Sequence, residues 1–165
     1  MEPMPKQIAG VLILLAAFLL SGCGSPERDS SVDQKDRSIR VDGTLEFYRP
    51  DHSVIQSIQI EISETPEAHA KGLMGRRVLE LNEGMLFVYQ SAEPQTFWMH
   101  NTPLSLDMIF VDEKGRVVNI AKRTTPMSDQ TYSSKGPVQS VVEVRAGFTD
   151  HFGIDEGTRI RWRRF

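Results

Sequence analysis

A two-residue period restricts the fold of this chain more than any other feature. Ile58, Ile60 and Ile62 alternate with Gln59 and Glu61. Successive side chains of extended backbone point to opposite sides, so this pattern predicts a strand with one buried face. Leu45 and Phe47 alternate with Glu46 and Tyr48 in the same way, and Pro50-Asp51 closes that strand. Further strands are predicted over 84–89, 96–101, 106–112, 116–122, 138–144 and 158–164. Turn-forming segments separate them: Ser91-Ala92-Glu93-Pro94, then Thr102-Pro103, then the hairpin Asp112-Glu113-Lys114-Gly115,. A longer loop, rich in Ser, Thr, Gly and Pro, covers 125–137. Helical signals are few. Thr65 can cap, Pro66 suits the first helical position, Glu67 opposes the dipole and Gly72 can end a short helix,. Residues 147–152 predict one more helical turn, ended by Gly153. About eight strands with one or two short helices predict a mainly β domain over 41–165, an antiparallel sandwich or barrel,.

The first 40 residues obey a different logic. Residues 8–20 form an almost unbroken apolar run preceded by Lys6. A permanent membrane helix needs about 20 such residues, so the run fits the core of a signal peptide over 1–22. Leu20-Ser21-Gly22-Cys23 then looks like a bacterial lipobox, in which the cysteine thiol receives diacylglycerol and becomes the new amino terminus. Cys23 is the single cysteine of the 165 residues. The expected product is a lipoprotein held by its acyl chains, each buried methylene contributing about 0.8 kcal/mol. Its expected address is the outer face of the cytoplasmic membrane or the outer membrane, its lipid on Cys23 being the membrane partner. It also follows that the domain has no disulfide and no thiol ligand. Residues 24–40 are polar and predict a disordered tether,. As a flexible coil it would span roughly 20–25 Å.

Within the β domain several motifs occur in order. They are Gly72-Leu73-Met74-Gly75-Arg76, Gly84-Met85-Leu86-Phe87-Val88, Phe97-Trp98-Met99-His100-Asn101-Thr102, and the run from Leu106 through Asp107 to Asp112. Gly136-Pro137, Val142-Glu143-Val144, Ala146-Gly147 and Gly153-Ile154 follow. Together they resemble the domain of unknown function 192, over roughly residues 55–163. The resemblance implies a compact β-sandwich similar to a jelly roll, often in secreted or lipoprotein form, and implies no settled activity. A lysine is expected where His100 stands, so histidine chemistry there would not be a family property.

The candidate site residues follow from polarity in apolar settings. The strand from Leu106 to Val111 is apolar on both faces except at Asp107. A buried carboxylate costs several kcal/mol unless paired or hydrogen-bonded. Asp107 therefore either ties down the loop over 101–105 through backbone N–H groups or faces a wet cleft and contacts a ligand. Trp98 and His100 share one face of their predicted strand, where they either form the wall of a small polar-ligand site or serve as core and surface,. Asn101 precedes a Thr-Pro turn that favours local hydrogen bonds. Glu143, among Val141, Val142 and Val144, either joins Asp107 as an acid/base couple or lies on a wet face beside Arg145,. Ser133 lies in the longest loop, where ligand contacts concentrate, without a nucleophile elbow.

Composition narrows the function classes. The net charge is −3, and Arg159, Arg161, Arg163 and Arg164 are the main basic cluster. Four charges on an edge strand guard against aggregation and do not call for nucleic acid. His52, His69, His100 and His151 are scattered, without metal-ligand spacing, and no Gly-rich phosphate loop occurs,. No metal or cofactor is expected. Two functions stand at this level. The first is a non-enzymatic envelope module binding a small polar ligand or an envelope partner near Trp98, His100, Asn101, Asp107 and Ser133. The second is a hydrolase or lyase acting on envelope polysaccharide through Asp107 and Glu143.

Overall fold

The computed structural model describes residues 39–165. The predicted leader, Cys23 and the tether up to residue 38 lie outside the described residues. The order is β1 (Gly43–Tyr48), β2 (Val54–Ser63), α1 (Pro66–Lys71), β3 (Glu83–Glu93), β4 (Thr96–Trp98), β5 (Leu106–Val111), β6 (Val117–Ala121), β7 (Thr131–Ser133), β8 (Val138–Arg145), α2 (Phe148–Phe152) and β9 (Arg159–Arg164). The domain is mainly β with two short helices. Local chemistry sets these bounds as expected. Thr65 accepts a hydrogen bond from Ala68 N–H at 3.2 Å and Pro66 opens α1. In the β5–β6 hairpin, Gly115 takes φ +72, a conformation that L side chains rarely adopt,.

Seven strands form one sheet in the order β6-β5-β8-β3-β2-β1-β9, and β4 and β7 form a second. The sheet departs from the expected all-antiparallel arrangement at one place, because β2 and β3 run parallel. Parallel neighbours need a crossover of a dozen or more residues. Residues 64–82, which include α1, supply it. The expected barrel is also corrected. The sheet curls until its edges meet around one bridge, Arg116 to Arg159, where Ile160 N–H donates to the Gly115 carbonyl at 2.7 Å and Val117 N–H to the Thr158 carbonyl at 2.8 Å. No ladder joins β6 to β9, so the sheet does not close.

The curl divides the apolar residues into two cores. Every one of the seven strands sends a side chain into the inner core, among them Leu45, Ile60, Leu86, Ile109, Val142 and Ile160. Phe148 and Ile154 from the α2 region plug its end, with Phe148 lying 5.5 Å from Phe47. The outer core rests on Met85, Phe87, Met108, Phe110 and Val141. The β4–β7 pair and the loop after α1 cover it with Phe97, Met99, Tyr132 and Leu73. Strands β3, β5 and β8 thus serve both cores, which is why their sequences run apolar on both faces,. Each fully buried Leu, Ile, Val or Phe stabilises the fold by on the order of 1.5–3 kcal/mol.

Two local predictions need correction. The strand expected over 96–101 stops at Trp98, because Asn101 takes φ +52 and its carbonyl accepts from Gly75 N–H at 2.8 Å. The loop over 125–137 contains the short strand β7, held by its pairing with β4.

Candidate functional site

Asp107 points into the inner side of the sheet and is fully buried. Its carboxylate accepts from Arg123 N–H at 2.9 Å, Gly147 N–H at 3.1 Å, Thr149 N–H at 3.0 Å and the Thr149 hydroxyl at 2.6 Å. Four donors satisfy it, so it clamps the start of α2 and the chain leaving β6. The expected loop 101–105 is held instead by Thr124. Its hydroxyl meets the Leu106 backbone at 3.1 Å, and Ser105 Oγ donates to the Thr124 carbonyl at 2.8 Å.

Glu143 lies on the other side. Along β8, Val142 and Val144 belong to the inner core, so Glu143 between them faces outward. The sheet itself stands between Glu143 and Asp107, and the two carboxylates do not form the expected couple. Nor does Glu143 sit on a wet face. Its register partners are Met85 on β3 and Met108 on β5, and the residue is only 4% exposed. Burial alone pushes its carboxyl up to about 8, because no nearby cation or hydrogen bond among the described residues offsets the loss of water. The Tyr89 hydroxyl is pushed up to about 12 by its own burial and then by the Glu143 charge.

Glu143 opens onto a narrow pocket walled by His69, Gly72, Phe87, Phe97, Trp98 and Thr102. The pocket encloses about 40 Å³, room for a small polar group and too little for a sugar ring. Gly72 lets the end of α1 come down on Phe87: a Cβ there would lie 3.4 Å from the ring, at a φ of +43. His69 packs 4.7 Å from Tyr89, and its Nε2 lies 3.0 Å from the Ser63 carbonyl, which can only accept. Nε2 therefore carries the proton. Ser63, paired with Phe87, keeps a buried hydroxyl without a partner among the described residues. A wider groove along β9 is lined by Thr44, Glu46, Arg161, Trp162 and Arg163. Arg161 and Glu46 pair there at 2.6 Å, so it lacks a comparable stranded group.

The other predicted residues divide around this pocket. Trp98 is half-exposed at the rim, stacked on His100 with ring centroids 5.0 Å apart. His100 is anchored outward by Asp129 at 2.8 Å and does not line the pocket. Asn101 is an exposed turn residue. Ser133 is exposed on β7, its hydroxyl 2.9 Å from that of Thr96. The structure thus brings Trp98 and Glu143 together and leaves Asp107, Asn101 and Ser133 elsewhere. His69, Phe97 and Thr102 were not singled out in the sequence. The usable signal was the one that exposed Asp107, a lone carboxylate in an apolar run, which Val141-Val142-Glu143-Val144 repeats.

This arrangement can be set beside known proteins. The profile of DUF192, described as an uncharacterized ACR, matches residues 48–162. The chain belongs to the DUF192 family. It is similar to a solved structure described as a putative transcription regulator from Sinorhizobium meliloti 1021, at 28% identity and a TM-score of 0.71. That match covers 76% of this chain and 96% of the other. It is also similar to a protein of unknown function from Novosphingobium aromaticivorans DSM 12444, at 33% identity and a TM-score of 0.68, covering 72% of this chain and 84% of that one. No protein of curated function matches. The DUF192 match therefore takes in β2 through β8 whole, entering at Tyr48, the last residue of β1, and ending at Trp162 within β9.

Proposed function

We propose that this DUF192 protein is a lipid-anchored envelope module whose β domain binds a small polar ligand at the Glu143 pocket. One observation carries the binding part: a carboxyl buried with no charged or hydrogen-bonding partner among the described residues, on the floor of an aromatic-walled cavity. Native proteins rarely strand such a group, since the penalty is several kcal/mol. A ligand that satisfies it recovers that energy. The hydrolase reading loses its motive, because it needed Asp107 and Glu143 on one bond. Nor does the surface favour the nucleic-acid contact that a transcription regulator would make. Of the β9 arginines, Arg161 and Arg164 are already paired with Glu46 and Glu64, each at 2.6 Å, which removes much of the charge that phosphates would need,.

The binding claim is tested by a thermal-shift screen of the full-length protein with small amines, amino acids, carboxylates and neutral polyols. A compound that raises the melting temperature of the wild type and not of Glu143→Gln places binding at the pocket. Hits that shift both proteins equally would refute the assignment. The anchor is tested separately. Cys23→Ser is expected to move the protein from the detergent-rich to the aqueous phase on detergent partitioning, because thiol alkylation is the expected attachment,. Retention of the variant in the detergent phase would rule out a lipid on Cys23.

A further inference from the structure

We propose that the group held in the Glu143 pocket is a primary ammonium, and that its arrival displaces a proton from Glu143 to solvent. The inference rests on the binding role assigned to this pocket and names the chemistry of its ligand.

An ammonium group carries three N–H donors and no acceptor. Facing it would be the Glu143 carboxylate and two further acceptors. Thr102 Oγ1 spends its proton on the His100 carbonyl at 3.2 Å and keeps its lone pairs. His69 spends Nε2 on the Ser63 carbonyl, which leaves Nδ1 without a partner among the described residues. Phe97 and Trp98 add aromatic surface, whose negative ring faces attract cations,. Lys71 lines the rim, but an anion drawn there would face the Glu143 carboxyl within the pocket. The space of about 40 Å³ suits a compact head of the ammonium type,.

The charge balance follows from the surroundings of Glu143. From α1 it is faced by His69 and, at the rim, Lys71. Tyr89 approaches from β3. β5 presents only Met108, and β4 presents Phe97 and Trp98. Beyond Trp98 lies His100, bonded to Asp129. Lys71 is exposed and contributes nothing to the state of Glu143, whose carboxyl responds to burial alone. With the pocket empty, Glu143 holds its proton in neutral solution. An entering R–NH3⁺ favours the carboxylate, so the O–H bond of Glu143 breaks, the proton passes to water and an ion pair forms. No other bond changes.

Isothermal titration of the full-length protein with propylammonium, and with propanol as neutral isostere, tests this. The expected affinity for propylammonium rises about tenfold per pH unit from pH 6 to near 8 and then levels, as release of one proton requires. Titrations in two buffers of different ionisation enthalpy should report close to one proton released at pH 6.5. Glu143→Gln should lose at least tenfold in affinity, and Trp98→Ala, altered only at the half-exposed rim, should weaken binding severalfold. A lysine-bearing peptide run in parallel locates the source: tighter binding than the free amine assigns a protein partner, and the reverse assigns a small amine. Equal binding of propanol, a flat pH profile or full affinity in Glu143→Gln would each overturn the proposal. If amines fail while other compounds from the thermal-shift screen bind through Glu143, the ammonium assignment falls and the binding site stands.

Discussion

Asp107→Ala is expected to destabilise the domain by about 3–5 kcal/mol, the range for removing one side of a buried, charge-assisted cluster. The carboxylate receives four donors from two separated parts of the chain. Alanine would strand the Gly147 and Thr149 N–H groups beside a cavity and release Phe148, whose ring plugs the inner core. Urea denaturation should show the loss as a lower midpoint with an unchanged slope. Thr149→Val removes only the hydroxyl at 2.6 Å and should cost less, about 1–2 kcal/mol,. A loss below about 1 kcal/mol for Asp107→Ala would contradict the clamp assigned to this residue.

Glu143→Gln is expected to change the pH dependence of stability rather than lower it uniformly. In the unfolded chain the carboxyl ionises near its ordinary value of 4.5, whereas in the fold it keeps its proton to about 8. Between those values the unfolded state sheds the proton first, so rising pH favours unfolding. The wild type should lose about 1.4 kcal/mol per pH unit from this group across that window, and about 5 kcal/mol in all once pH is well above 8. Below pH 4 both states are protonated and the term vanishes. Glutamine does not titrate, so the stability difference between variant and wild type should grow steadily in favour of the variant from pH 5 to 8. Any fixed penalty for burying the amide shifts that line without tilting it. Denaturation midpoints of both proteins at pH 5, 6, 7 and 8 measure the tilt; parallel curves would mean that Glu143 is hydrated or partnered in solution.

The strands were legible because their information is local. The alternation of Ile58, Ile60 and Ile62, and the run from Leu106 to Val111, each identify a strand within a few residues. What depends on distant segments was not legible. No local pattern gives the direction of β3 relative to β2, because residues 64–82 could lead either to an adjacent return or to a parallel crossover. Strand β7 has three residues, and only its pairing with β4 makes it a strand. The need of Asp107 for partners was readable from its apolar neighbours, but the partners lie about forty positions away, at Gly147 and Thr149. For Glu143, period two places the side chain opposite Val142. Whether that face is wet depends on the covering by α1, β4 and β7, which no neighbour in sequence encodes.

The sharing of β3, β5 and β8 between two cores makes the two sides of the pocket move on different clocks. Glu143 sits on a strand buried on both faces, and amides there exchange with solvent only when the whole domain opens,. The opposite wall is built from α1, which buries none of its six residues, and from the three-residue strand β4. Neither piece belongs to the seven-stranded sheet, so both are expected to open locally at lower free energy,. The chemical group is thus fixed in a rigid floor, while entry to it is timed by a roof that breathes.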